Sequence, residues 1–115
     1  MDFLRQLFGP PVPGLSAAEV QMRLKASPAP LLLDVREPEE YRAGHIAGAK
    51  LIPLGELSRR LNELPQNREI VCVCRSGSRS HSAARQLIKS GYNAVNLRGG
   101  MLAWVNAGLP TKTGK

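Results

Sequence analysis

With 115 residues the chain has room for one hydrophobic core and not for two. A hydrophobic share of 43% and a charged share of 22% are those of a soluble globular protein, and no apolar run approaches the roughly 20 residues of a membrane span. The net charge of +7 is lopsided: residues 1–64 carry eight basic and eight acidic side chains, whereas residues 65–115 carry eight basic ones against Glu69 alone. Such a field favours anionic ligands. It does not point to nucleic acid, because there is no basic run and aromatics are only 4% of the chain.

Residues 1–14 read as an N-terminal segment, with Phe3, Leu4, Leu7 and Phe8 on one side of a possible helical turn and a stiff stretch from Gly9 to Gly14 behind it. The basic-then-apolar order of a signal peptide is missing, so a cytoplasmic protein is expected. The domain proper is placed at 15–110. Ser16 with Glu19 makes a capping box for a helix ending near Ser27, where Pro28 and Pro30 stop it. Leu31 to Val35 is a buried strand with Asp34 near its carboxyl end. Pro38 opens a short helix through Tyr41 that Gly44 closes, and Lys50 to Ile52 is a further strand cut off by Pro53.

Leu54, Leu57, Leu61 and Leu64 recur at three- and four-residue steps, which predicts an amphipathic helix ending at Pro65. Glu69 to Cys74 has the β-branched content of a central strand. Ala83, Ala84, Leu87 and Ile88 share a helical face capped by Gly91, and Asn93 to Leu97 is the last strand. Gly99-Gly100 then turns the chain into a helix with Met101, Leu102, Trp104 and Val105, and residues 111–115 are expected to form a mobile tail. Strands alternating with helices predict an α/β layer fold with a mainly parallel sheet, whose ligands gather outside the carboxyl ends of the strands. Asp34 and Cys74 both fall there.

Cys74 is the candidate nucleophile. It ends a strand and is followed by a loop of small residues and two arginines, Arg75, Ser76, Gly77, Ser78, Arg79 and Ser80, which leads into a helix. Backbone N–H groups, the helix N-terminus and the two arginine charges all favour thiolate, the reactive form of cysteine. Gly77 permits the torsions of a tight curl. Cys72 reads as core on the same side of the strand, and two cysteines one residue apart make a poor disulfide. His45 reads as a residue holding its loop and His81 as an exposed helix residue, with no metal spacing between them.

Four stretches resemble the successive signatures of a rhodanese domain: Asp34-Val35-Arg36-Glu37, Glu40-Tyr41 with Gly44 to Ala49, Cys74 to Ser80, and Asn96 to Met101 with Ala103-Trp104. The resemblance covers roughly Leu15 to Pro110. It implies a rhodanese-like α/β fold, with a mostly parallel five-stranded sheet flanked by helices on both faces. It further implies sulfurtransferase chemistry. Cys74 would take a sulfane sulfur from a donor such as thiosulfate, hold it as a persulfide cradled by the N–H groups of Arg75 to Ser80, and pass it to cyanide or a thiol.

No metal or organic cofactor is implied, and a monomer or weak dimer is expected. Asp34, Arg36 and Arg98 are read as pocket-rim candidates, with an ion pair or hydrogen bonds bracing adjacent loops the preferred reading for Asp34 and Arg36. Trp104 is read as core or a lid. Two other functions compete: a sulfur-relay or binding module acting on a protein partner, and a cysteine phosphatase or arsenate reductase. Phosphatase loops hold one residue more between cysteine and arginine than the four here, Arg75 to Ser78, which suits a single sulfur better than a tetrahedral oxyanion.

Overall fold

The computed structural model describes residues 11–115, so the helical turn read around Phe3 to Phe8 lies outside the described residues. Five strands form one sheet in the order β1-β5-β4-β2-β3, every pairing parallel. They are β1 (Gly14–Leu15), β2 (Leu31–Asp34), β3 (Lys50–Leu51), β4 (Ile70–Val73) and β5 (Ala94–Leu97). The helices are α1 (Ala17–Leu24), α2 (Pro38–Ala43), α3 (Ser78–Lys89) and α4 (Gly100–Asn106). None is long and apolar enough to cross a membrane.

The three central strands are buried on both faces, which is why they read as unbroken apolar runs. Alternation along each strand sorts their side chains into two cores. Leu33, Ile70, Cys72 and Ala94 pack with Ala83, Ala84 and Leu87 of α3. Leu32, Val71, Val73, Val95 and Leu97 pack with Val20 of α1 and Met101 and Trp104 of α4 on the other face. Trp104 is therefore core, and its Nε1–H donates to the Pro110 carbonyl at 2.8 Å.

Three expectations need correction. The helix predicted between Leu54 and Leu64 is two 3-10 segments, Leu54–Arg59 and Leu61–Glu63. Leu54 with Leu57, and Leu61 with Leu64, each lie three apart, the period at which 3-10 side chains eclipse, and a break at Arg60 separates the pairs. Gly14-Leu15, expected to lie in a turn-rich lead-in and at the start of the domain, forms the edge strand β1 beside β5. The tail expected to be mobile is tied down as far as Gly114. His45 and Lys112 exchange two backbone hydrogen bonds of 2.9 and 2.8 Å, and the Gly114 N–H donates to the Arg42 carbonyl at 2.9 Å. The buried backbone of His45 needs these partners.

Candidate active site

Cys74 follows β4 directly and faces the core shared with α3. It is 0% exposed. The chain turns at Gly77, whose φ of +103° is left-handed and whose Cβ position would lie 3.1 Å from the Gly99 nitrogen, so only glycine fits. α3 then starts at Ser78, aiming its first turn at the sulfur. The Gly77 N–H donates to Cys74 Sγ at 3.1 Å, and the Ser80 hydroxyl lies 3.3 Å from the same sulfur.

Asn96 completes the arrangement. Register pairs it with Cys72, so its side chain rises on the Cys74 face of the sheet. The Ser80 hydroxyl lies 2.6 Å from Asn96 Oδ1, and Asn96 Nδ2 donates to the Gly77 carbonyl at 3.2 Å. That carbonyl can only accept, which fixes which end of the amide faces Ser80. Cys74, Gly77, Asn96 and Ser80 thus form a closed ring of buried hydrogen bonds. The sequence reading placed Asn96 in a family signature but gave it no role; its signal was a polar residue between Val95 and Leu97 in a buried strand.

Burial pushes the Cys74 thiol up, but the Ser80 hydroxyl and the N–H groups of Ser80, Gly77 and Ser76 outweigh it and hold the thiol below its ordinary value. Cys72 has no such donors, and burial pushes it up to about 12. Alkylation followed against pH and mapped by peptide mass is therefore expected to modify Cys74 with a midpoint below that of a free thiol, and to leave Cys72 unmodified in the folded protein. In Ser80→Ala the midpoint should rise by about one to two pH units, the worth of a hydrogen bond to a charged group. An unshifted midpoint would remove Ser80 from this role.

The two loop arginines differ. Arg79 is bound bidentately by Glu40 of α2, at 2.7 and 2.8 Å. Glu40 Oε1 also accepts the Glu37 N–H at 2.9 Å as part of the α2 capping box. The Arg79 hydrogen bonds, ahead of the opposing effect of burial, bring the Glu40 carboxyl down to about 2. Arg75 is exposed and, among the described residues, has no ion-pair partner.

Of the rim candidates, Asp34 and Arg36 are a buried pair. Arg36 Nε and Nη2 donate to Asp34 at 2.9 and 2.8 Å, and Nη2 also donates to the Gly44 carbonyl at 2.8 Å. The pair braces the end of α2 against the end of β2, while the Arg36 side chain reaches the wall of the cleft beside the loop. Arg98 does not line that cleft. Its N–H donates to the Leu15 carbonyl on the β1 edge, and its side chain lies over Gly14, where a Cβ would come within 2.7 Å, ending 3.7 Å from Glu19.

α4 is seated on the loop itself. The Met101 N–H donates to the Cys74 carbonyl at 2.8 Å and the Leu102 N–H to the Arg75 carbonyl at 3.0 Å. Gly100, at φ +56°, makes that approach possible, since a Cβ there would collide with the Cys74 oxygen and lie 2.7 Å from the Arg75 carbonyl carbon. His45 holds its loop, stacked on Tyr41 at 3.6 Å with Nδ1 2.7 Å from the Tyr41 carbonyl. His81 is half-buried and makes no hydrogen bond to the thiol.

Comparison with known proteins follows the same lines. Residues 16–107 match the family described as Rhodanese-like domain. A protein named sulfurtransferase from Allochromatium vinosum is 39% identical over 97 residues, covering 84% of this chain and 91% of the relative. A rhodanese-related protein from Thermoplasma volcanium superposes with a TM-score of 0.81 at 33% identity, over 86% of this chain and 96% of that one. A thiosulfate sulfurtransferase from Pseudomonas aeruginosa gives 0.83 at 30% identity, over 90% of this chain but 21% of the larger protein. An all-parallel five-stranded sheet, a cysteine cradled at the end of its central strand and a family match over nearly the whole domain lead to one assignment: the chain belongs to the rhodanese-like sulfurtransferase family.

Proposed function

We propose that this chain transfers the outer sulfur of thiosulfate to cyanide or a thiol through a persulfide on Cys74. The observation that carries the reading is the pair of donors on one sulfur, the Gly77 N–H at 3.1 Å and the Ser80 hydroxyl at 3.3 Å. Both stabilise negative charge where thiolate and persulfide need it. In the first half-reaction the Cys74 thiolate attacks the sulfane sulfur, a new sulfur–sulfur bond forms, and sulfite leaves with the electron pair of the broken one. In the second, the acceptor attacks the outer sulfur and Cys74 leaves as thiolate. Anionic partners throughout suit the basic half of the chain and Arg75, which has no ion-pair partner among the described residues.

Cys74 is covered at rest, so each half-reaction requires the sulfur to be uncovered. Two free cysteines suit a reducing cytoplasm as the setting. The decisive experiment is intact mass after thiosulfate treatment. One added sulfur is expected on the wild type and on Cys72→Ser, and none on Cys74→Ser. A wild type that gains no mass would overturn the proposal.

A further inference from the structure

Beside the nucleophile loop lies an open cleft of about 490 Å³ that cyanide and thiosulfate would leave almost empty. Its walls include Arg36, Glu40, Arg75, Met101, Leu102 and Val105. Two of the three large hydrophobic side chains exposed among the described residues, Leu102 and Val105, stand on this wall, and the third, Met22, does not. They are three residues apart on α4 and so share a side. The hydrogen bonds from Met101 and Leu102 to the Cys74 and Arg75 carbonyls fix that wall against the loop.

The charges in the cleft are unequal. Arg36 is neutralised by Asp34 and Glu40 by Arg79, whereas Arg75 has no ion-pair partner among the described residues. The uncompensated charge is one cation, set beside an apolar shelf. The volume falls within the roughly 300–1,000 Å³ of small-molecule sites.

We infer that this cleft is the acceptor subsite, and that the acceptor it selects is a small organic thiol with an apolar chain ending in a carboxylate. The assignment rests on the sulfur-transfer reading above. The chain lies on Leu102 and Val105, the carboxylate meets Arg75, and the thiolate reaches the loaded loop. There it attacks the outer sulfur of the Cys74 persulfide: the new sulfur–sulfur bond makes the acceptor persulfide anion, and the old bond breaks with its electrons returning to Cys74 as thiolate. No further reactant is needed.

The test compares mercaptopropionate, mercaptohexanoate and mercaptohexanol as acceptors, at equal subsaturating concentration, on enzyme preloaded with thiosulfate. Their thiols are of similar basicity, so differences report binding. Mercaptohexanoate is expected to discharge the persulfide roughly tenfold faster than mercaptopropionate, from the extra methylenes covered, and severalfold faster than mercaptohexanol. Leu102→Ser/Val105→Ser should erase the first preference while thiosulfate loading is unchanged, and Arg75→Gln should erase the second.

A parallel measurement needs no persulfide. Hexanoate should shift the amide resonances of Arg75, Leu102 and Val105 and bind at least tenfold tighter than propionate in the wild type, and no tighter in the double variant. Equal rates for all three thiols on a loaded enzyme, or no chain-length dependence of carboxylate binding, would overturn the inference. So would a dimer that dissociates on the double substitution, since a second copy would then own the wall. Carboxylate binding with no persulfide on thiosulfate treatment would instead overturn the sulfur-transfer reading and support the ligand class of the cleft.

Discussion

Arg36→Met is expected to lower folding stability by about 3–5 kcal/mol, read as a lower urea midpoint at unchanged slope. Asp34 is 1% exposed, and the substitution leaves its carboxylate buried with no cation to meet it. The Gly44 carbonyl loses its donor as well. The loss is one of unpairing, because the attraction within a buried pair is largely offset by the cost of desolvating both ions. Asp34→Leu/Arg36→Met should therefore recover much of the stability. A double variant no more stable than Arg36→Met would show that the guanidinium acts through Gly44 and not through Asp34.

Gly100→Ala is expected to slow persulfide formation at least tenfold and to lower stability by about 2–3 kcal/mol. The new methyl would overlap the Cys74 carbonyl oxygen, which already accepts the Met101 N–H, so either α4 or the loop must move. Gly108→Ala is the control: its φ of +74° is equally left-handed, but nothing lies within 4 Å of its Cβ position. It should cost only the backbone strain, about 1–2 kcal/mol, with the rate intact. A slowed reaction in both variants would trace the effect to left-handed backbone strain and not to the contact of α4 with the loop.

The features legible in the sequence are those written in neighbouring residues. Leu31 to Asp34 and Ile70 to Val73 are buried on both faces, so hydrophobicity alone announced them, and the small residues after Cys74 announced the curl. β1 could not be read this way, because two residues beside Pro13 carry no period. The leucines after Pro53 are spaced for either kind of helix, and the difference lies in where Arg60 breaks the run. The pairs that distinguish Arg79 from Arg75 and bring Asn96 to Ser80 join residues 39 and 16 positions apart. Only the parallel crossovers place them together. Arg98 shows the opposite case: it ends a strand on the correct edge, yet the trough left by Gly14 draws its side chain away from the cleft.

A serine hydroxyl has one proton to give, and Ser80 stands between two takers, Asn96 Oδ1 at 2.6 Å and Cys74 Sγ at 3.3 Å. While the sulfur is a neutral thiol, its own proton can point to Ser80 Oγ and the hydroxyl to Asn96, so the donors run away from the sulfur. When the sulfur becomes an anion, the hydroxyl turns towards it and Asn96 Oδ1 loses its donor. The Ser80–Cys74 link reverses, and the Ser80 and Asn96 oxygens, 2.6 Å apart while a proton joins them, draw apart once it has turned away. The charge on the sulfur is thus recorded at a buried asparagine one strand away.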